Sequence, residues 1–225
     1  MRIFREKPLT ELVKTRRATD SFISQPIAKE DLEQILKAGL EAPSSYNHQP
    51  WRFVVVRDQE QRRKLRIAAM NQRKVEDAPV VIVACGDTLG WREDLEEVIR
   101  IGREHDIGGD AWADRKRRNV IADLGSHPNI SMWVTKQTMI AATTMMWMAE
   151  ALGYDTGPME GFDEDKVREA LGIPEHVRVL FLLALGRLRG EDGKYPGRLP
   201  RSRTLFAERY GDPFPELSQT DFLSS

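Results

Sequence analysis

The chain has 225 residues, of which 40% are hydrophobic and 31% charged, and this suits one sizeable domain with a real core. Its formal charge is -1, so no overall field favours nucleic acid or an anionic membrane. The single cysteine, Cys85, excludes an intramolecular disulfide and a cysteine-based zinc site. Cys85 ends an apolar run and is expected to be a buried, inert thiol. Because residues 1–7 contain no apolar signal core, a cytoplasmic protein is expected.

Hydrophobic periodicity predicts helices and strands over most of the chain. The predicted helices cover residues 9–15, 28–41, 59–69, 75–77 and 164–171. The predicted strands cover 53–57, 80–85 and 177–185, and their continuous apolar runs indicate a sheet covered by helices on both faces. A tight turn is expected at 157–162 and a loop at 186–200. Residues 91–130 are charged and indicate no clear element.

The longest apolar segment, 132–152, is predicted to be a central core helix ended by Gly153. Its apolar residues lie on almost every side, as in helices buried within a protein or a membrane. Polar residues such as Lys136 and Thr143 interrupt it, so no run of about 20 apolar residues is available to span a bilayer. In a chain of this size, a second subunit is expected to be needed to cover all faces of such a helix. The tail, 204–225, is also apolar enough to dock on another subunit.

A polar stretch at 43–51 lies between a predicted helix and a predicted strand. It contains two prolines, two serines and the amides Asn47 and Gln49. Hydroxyl and amide groups both donate and accept hydrogen bonds, which suits a neutral polar ligand with mixed groups. Taken alone, however, such a stretch is more often a capped, proline-bounded turn.

Neither a GxGxxG after the first long strand nor a GxxxxGK[ST] motif occurs, so phosphate binding would depend on arginines. One pair, Arg16 and Arg17, lies near the start, and another, Arg201 and Arg203, near the end. Arginine suits phosphate because its planar fork donates two parallel hydrogen bonds, although each pair alone is usually solvated. No serine has a nucleophile motif. Binding groups without an acid, base or nucleophile are expected where a cofactor carries the chemistry.

Five short segments together resemble those of the FMN-dependent nitroreductases. They are Arg-Arg-Ala at 16–18, the stretch 43–51, Asn-Gln-Arg-Lys at 71–74, Pro-Met-Glu-Gly at 158–161 and Leu-Pro-Arg-Ser-Arg at 199–203. Their order and spacing fit over residues 8–205, and segments 42–51 and 159–163 are the most specific. The chain is similar in particular to the oxygen-insensitive bacterial nitroreductases.

The resemblance implies an α+β fold in which helices surround a mainly antiparallel sheet. It implies one FMN-binding domain over residues 1–205 and an intertwined homodimer. The C-terminal arm, 206–225, would pack on the partner subunit and add a strand to its sheet. FMN would lie at the dimer interface, and the partner would cover the apolar helix and tail.

The resemblance also implies which residues bind FMN. Those at the phosphate end are Arg16, Arg17, Ala18, Arg201 and Arg203. Those that would come from the other subunit and pack along the isoalloxazine and ribityl chain are Pro43, Ser44, Ser45, Asn47 and Gln49. Those at the pyrimidine and ribityl side are Asn71 and Lys74, and those over one flavin face are Pro158, Glu160 and Gly161. Met159, in the same segment, is also expected to bind FMN. Tyr46 and residues 91–130 would shape the substrate side, and no metal is implied.

Asp20 departs from the family pattern, in which a Lys or Arg commonly contacts the N1/O2 edge of the flavin. A cation there stabilises the anionic reduced flavin, and a carboxylate does the reverse. We expect Asp20 to turn to solvent and Lys74 to be the remaining cation. On this hypothesis, Asp20→Asn leaves the FMN midpoint potential unchanged.

The implied activity is reduction of nitroaromatic, quinone or similar electron-poor acceptors with NADH or NADPH, by a ping-pong mechanism through flavin N5. Three alternatives stay open. The first is a reductive-dehalogenase-like or flavin-fragmenting relative on the same fold, and the second is a non-catalytic FMN-binding protein. The third is a nucleic-acid-binding domain built on the basic run 115–118, which the balanced charge disfavours because it favours a solvated helix face.

Overall fold

The computed structural model describes residues 8–191, 193 and 195–215. In those ranges the helices are α1 (Leu9–Thr15), α2 (Lys29–Leu40), α3 (Gln59–Ala68), α4 (Arg73–Asp77), α5 (Gly90–Glu93), α6 (Leu95–Glu104), α7 (Asp110–Gly125), α8 (Ile130–Ala151) and α9 (Glu164–Leu171). The strands are β1 (Phe22–Ile23), β2 (Trp51–Val56), β3 (Val80–Asp87), β4 (Asp155–Met159) and β5 (Val177–Leu188).

One five-stranded sheet forms the centre of the molecule. Its strand order is β1-β5-β3-β2, and β4 also pairs with β5. All of these pairings are antiparallel. β3 is buried along its whole length, as its uninterrupted apolar sequence predicts. The predicted α+β class, with helices around a mainly antiparallel sheet, is therefore confirmed.

Two apolar clusters lie on the two faces of the sheet. Alternate residues of β5 point to opposite faces, so Leu182 packs in one cluster while Phe181 and Leu183 pack in the other. Helices α3, α4 and α9 contribute to the first cluster, and α2 and α8 to the second. Met145 of α8 packs so closely on α2 that a Cβ at Gly39 would lie 2.2 Å from its terminal carbon.

A third cluster joins α8 to the region that gave no clear sequence prediction. Residues 90–125 form α5, α6 and α7, here named the cap. The cap buries Ile99 and Val120 against Trp133 of α8. The buried residues Leu95, Val98 and Ile99 of α6 do recur at three- and four-residue steps, so this helix could have been predicted, whereas α7 buries few of its residues. The indole of Trp112 fills the space above two glycines of the α6–α7 region.

Helix α8 runs through the centre of the fold, as predicted, and Gly153 follows it with a φ of 75°. The residues that the structure describes do not cover all sides of α8. Met132 is 52% exposed and Ile140 is 42% exposed. In the described ranges, no helix combines the length and apolar character needed to cross a membrane.

Two local expectations are wrong. The tight turn expected at 157–162 is in its first part the strand β4, because its backbone pairs with β5 and places Gly157 opposite Ala184. The loop expected from residue 186 begins later, because β5 continues to Leu188 and pairs with the two-residue strand β1. The predicted arm, 206–225, is described only to residue 215, and residues 216–225 lie outside the described ranges.

Gly157 lets β4 lie unusually close to the segment that follows α1. The Thr19 N–H donates to the Thr156 carbonyl at 3.0 Å, and Ala18 forms a parallel bridge with Thr156. A Cβ at Gly157 would lie 2.5 Å from the Thr19 carbonyl oxygen, which is closer than two such atoms can approach. The absence of a side chain at residue 157 therefore allows residues 16–20 to lie directly beside β4.

Gly157→Ala should lower the free energy of unfolding by about 1–3 kcal/mol, because the added methyl must push backbone away from backbone. Chemical denaturation of the purified variant measures this loss. Gly109→Ala is the matched control, because a Cβ there would meet nothing within 4 Å, and its effect should be about 0.5 kcal/mol or less. Equal stabilities for the two variants would show that the close approach does not constrain the fold.

Candidate functional site

A cavity of 520 Å³ opens beside the end of α1. Helices α1 and α8 supply its apolar wall, β4 supplies Pro158, and the segment after β5 supplies polar groups. The lining residues are Val13, Arg16, Thr143, Met146, Trp147, Pro158, Tyr195 and Arg198. We name it the Arg16 cavity.

Arg16 brings an unused hydrogen-bond donor to this cavity. Its Nη1 is buried and has no hydrogen-bond partner among the described residues, and its guanidinium lies 5.9 Å from the Trp147 ring centroid. Burial lowers the pKa of Arg16, Glu150 opposes this, and Arg17 and Arg198 add to it. A buried cationic donor without a partner is costly, so the arrangement suits an anion that would accept from it.

Arg198 is the second arginine of the Arg16 cavity, and the sequence patterns did not indicate it. It is exposed, and its guanidinium lies 5.2 Å from the Tyr195 ring centroid. The guanidinium of Arg17 lies 4.6 Å from the same centroid. Arg198 lies in a loop without a motif, and only its place three residues before Arg201 could have drawn attention to it.

The other predicted arginines have different surroundings. Arg17 Nη1 donates to the carbonyls of Lys14 at 2.7 Å and Arg16 at 2.9 Å, so it ties down the end of α1. Arg201 and Arg203 belong to a 3₁₀ turn, where Arg201 is half-buried and Arg203 exposed. In the part of the chain that the structure describes, Arg198 rather than either of these two lines the Arg16 cavity.

Three of the predicted segments meet along β4. Ala18 bridges Thr156, as described above, and Lys74 Cδ lies 3.5 Å from the Cβ position of Gly157. Gln72 Nε2 donates to the Gly161 carbonyl at 2.7 Å. Residues 16–18, 71–74 and 158–161, which are far apart in sequence, are therefore neighbours.

The members of these segments differ in what they can offer a ligand. Asn71 has a φ of 59° and is exposed, as are Glu160 and Gly161. Met159 is 5% exposed, and its side chain packs in the core, so only its backbone remains for a ligand. The predicted contribution of Met159 to FMN binding is therefore limited to its backbone.

Asp20 lies next to this group. Its side chain is 86% exposed, in agreement with the expectation that it turns to solvent. One carboxylate oxygen nevertheless accepts a hydrogen bond from Lys74 Nζ at 2.6 Å. Lys74 itself is only 14% exposed, so the pair joins a largely covered cation to a solvated carboxylate.

Residues 43–49 of the predicted stretch 43–51, here named the loop 43–49, pack against α8 and the cap. The Ser45 N–H donates to Oε1 of the buried Gln137 on α8 at 2.8 Å. Ser44 Oγ accepts from the Gln49 N–H at 2.9 Å, and Gln49 Nε2 donates to Oδ1 of Asn47 at 3.2 Å. Pro43, at the start of the stretch, is exposed. The hydroxyls and amides partly satisfy one another and hold the loop in shape.

The cap helix α7 contacts this loop through the basic run 115–118. Lys116 Nζ donates to the Tyr46 carbonyl at 2.6 Å, while the Tyr46 hydroxyl donates to Asp123. Arg117 pairs with Glu96 at 2.6 Å. The run is thus divided between an inward lysine, a paired arginine and two exposed arginines, which does not support the nucleic-acid alternative.

His48 is the buried titratable group of the same stretch. It is 2% exposed, and its ring stands edge-on to Trp133 with centroids 6.3 Å apart. Within the described part of the chain, neither ring nitrogen has a hydrogen-bond partner. Burial, and then Lys116, lower the pKa of His48 to about 4, so it is neutral at pH 7. Among the described residues, no cluster of three or more potential metal ligands occurs.

Comparison with known proteins shows which family the sequence resembles. The model of the Nitroreductase family matches residues 13–187. The chain is 37% identical over 192 residues to a Thermus thermophilus protein named NADH dehydrogenase, a match that covers 84% of this chain and 91% of that protein. It is 31% identical over 199 residues to Bacillus subtilis YdgI, which is named as an NAD(P)H nitroreductase, covering 84% of this chain and 92% of YdgI.

A solved structure from Exiguobacterium sibiricum, described as a nitroreductase in complex with FMN, has the same fold. Its TM-score to this chain is 0.78 at 30% identity, and the match covers 86% of this chain and 94% of that structure. The family match spans the sheet, α8 and the three segments that meet at β4. The chain belongs to the nitroreductase family.

Proposed function

We propose that this protein is an FMN-dependent oxidoreductase that uses NADH or NADPH to reduce nitroaromatic, quinone or similar electron-poor acceptors. The observation that carries the proposal is the buried, unpartnered Nη1 of Arg16 in a cavity that it shares with Arg198. Membership of the nitroreductase family supports it, as do the names of the relatives and the FMN in the Exiguobacterium sibiricum structure.

The phosphate of FMN is the anion that best suits the Arg16 cavity. Guanidinium groups donate paired hydrogen bonds to phosphate oxygens, and here two guanidiniums line one space. The apolar side chains of Val13, Met146 and Trp147 lower the polarity on one side of the cavity, which strengthens the attraction between a guanidinium and a phosphate there. Arg201 and Arg203, in the turn that follows, remain candidates for the same phosphate.

The segments that meet at β4 are the proposed support for the ring system. Lys74 supplies a cation, and Pro158 and Gly161 supply a surface for the ring. The backbone N–H groups of Glu160 and Gly161, directly after β4, are the proposed donors. When bound, FMN supplies the electron-transfer chemistry at its N5. The protein's part is to orient the ring, to hold charge near it and to keep one face open for the nicotinamide and then the acceptor. This sharing of one face gives ping-pong kinetics.

We further propose that the chain acts as a homodimer, with the loop 43–49 of one protomer placed at the flavin of its partner. The loop packs on α8 and the cap, whereas the Arg16 cavity opens between α1, α8 and β4. The exposed Met132, Ile140 and Val13 offer an apolar surface for the second copy. A solution mass about twice the 25.7 kDa of one chain supports this, and a single-chain mass contradicts it.

The activity itself is tested with the purified protein. It should be yellow, and anaerobic NADH or NADPH should bleach it, with re-oxidation by a nitroaromatic or quinone and parallel lines in double-reciprocal plots. Protein that binds FMN but turns over none of these acceptors would favour the non-catalytic alternative. Protein that binds no FMN would contradict the proposal.

Arg16→Met should raise the Kd for FMN by about 10- to 100-fold, because a charge-assisted hydrogen bond to the phosphate is lost. The exposed Arg198→Met should have a smaller effect, about 3- to 10-fold. Fluorescence titration of the apoprotein measures both. Arg63→Met, which removes an exposed arginine from α3, is the control and should leave the Kd unchanged. An Arg16→Met protein that binds FMN as tightly as this control would remove the phosphate assignment.

The Asp20–Lys74 pair changes the expectation for Asp20→Asn. Because the carboxylate offsets part of the Lys74 charge, its removal should make reduction of FMN easier and raise the midpoint potential by about 10–20 mV at low salt. The shift should shrink at high salt, since Asp20 is exposed. Spectroelectrochemical titration measures it, with Asp165→Asn on α9 as the control. An unchanged potential would restore the original hypothesis of a solvated, uninvolved Asp20.

A further inference from the structure

The loop 43–49 contains a cluster of unusual backbone conformations. Tyr46, Asn47 and Gln49 have φ angles of 59°, 54° and 49°, and none of them is glycine. Positive φ costs free energy for residues with a side chain, least for asparagine, and persists only where the surroundings enforce it. The contacts that enforce this conformation therefore determine the shape of the loop.

Tyr46, the most bulky of the three, is held at both ends by the cap helix α7. Lys116 Nζ donates to its backbone carbonyl at 2.6 Å, and its hydroxyl donates to Asp123. Lys116 and Asp123 are seven residues apart, which is two helical turns, so both project from the same side of α7. The helix thus contacts the backbone and the side chain of one loop residue simultaneously.

Lys116 is less exposed to water than a typical surface lysine. Its side chain is partly buried, its Nζ lies 5.5 Å from the Trp112 ring centroid, and burial lowers its pKa. Its neighbours Arg115 and Arg118 are exposed in the usual way. Withdrawing a cation from water is unfavourable unless a specific acceptor compensates, and the Tyr46 carbonyl is that acceptor.

The remaining loop contacts hold its flanks. The Ser45 N–H bonds to Gln137 of α8, and the Gln49 N–H bonds to Ser44 Oγ. Neither reaches Tyr46. The side-chain hydrogen bonds that reach Tyr46 accordingly come from α7, while the Tyr46 ring packs on the apolar cluster that α7 shares with α8.

We propose that Lys116 and Asp123 are positioning residues that clamp the Tyr46 loop to the cap, so that the acceptor site is preformed rather than ordered by each substrate. The inference rests on the proposed function, in which the loop 43–49 lies at the partner's flavin, and on the role at the substrate side that the family resemblance implies for Tyr46. The clamp couples the order of the loop to the position of the cap. Without it, the acceptor must supply the ordering free energy, which weakens acceptor binding and leaves the chemistry on the bound acceptor unchanged.

The test compares Lys116→Met with Arg115→Met, which removes an exposed charge from the adjacent position. Amide hydrogen exchange of the peptide covering 44–49 is measured on the full-length protein with FMN present. Lys116→Met should exchange about tenfold faster there, raise the KM for a nitroaromatic acceptor about 3- to 10-fold and change kcat by less than about twofold. Arg115→Met should match the parent protein in all three.

Equal exchange in the two variants would overturn the clamp, and faster exchange with an unchanged KM would overturn its role in acceptor binding.

Asp123→Ala tests the other end of the clamp with a spectroscopic readout. The hydrogen bond to Asp123, with some burial, raises the pKa of Tyr46, so this variant should move one tyrosine titration back toward pH 10. Tyr46→Phe identifies that titration by its loss. Lys116→Met keeps this contact and should change the titration less, whereas an unchanged Asp123→Ala titration would overturn this half of the clamp. If the protein binds no FMN, exchange and titration still report on the clamp, so the two proposals fail separately.

Discussion

The close approach of β4 to the segment after α1 is the constraint on which the rest of the site depends. Antiparallel pairing with β5 fixes β4, and the missing side chain of Gly157 lets the Thr19 carbonyl come within contact of it. This approach places Arg16 beside Pro158 at one cavity and Lys74 beside Gly157. Three segments that are far apart in sequence become one surface, and this backbone contact brings their polar groups close enough to share the proposed flavin.

The cations of the site differ from the many surface arginines in their loss of water. Several ion pairs here are exposed, such as those along α6, and such pairs contribute little to stability. Arg16, Lys74 and Lys116 are instead half-buried or nearly covered. Because a desolvated cation is costly, each needs a specific compensating acceptor: a proposed phosphate for Arg16, Asp20 for Lys74 and the Tyr46 carbonyl for Lys116. The overall charge of -1 conceals this local asymmetry.

The sequence predicted those parts of the fold that local pattern determines. Buried strands such as β3 and the apolar helix α8 have continuous or periodic apolar residues, and the short motifs identified the segments that meet at β4. The two-residue strand β1 and the strand β4 depend on a partner strand, so no local pattern indicated them. Arg198 and the contacts of Lys116 with Tyr46 are likewise long-range, since they link residues that only the folded chain brings together. Met159 carried the motif but packs in the core, because alternate residues of β4 face inward.

The central claim is that the Arg16 cavity binds the phosphate of a flavin nucleotide. The most direct measurement is calorimetric titration of the apoprotein with FMN and with riboflavin, which differ only in that phosphate. The account predicts that FMN binds about 100-fold or more tightly than riboflavin, since at least one charge-assisted bidentate contact distinguishes them. Equal affinities for the two flavins would show that the Arg16 cavity does not hold the phosphate and would contradict the account.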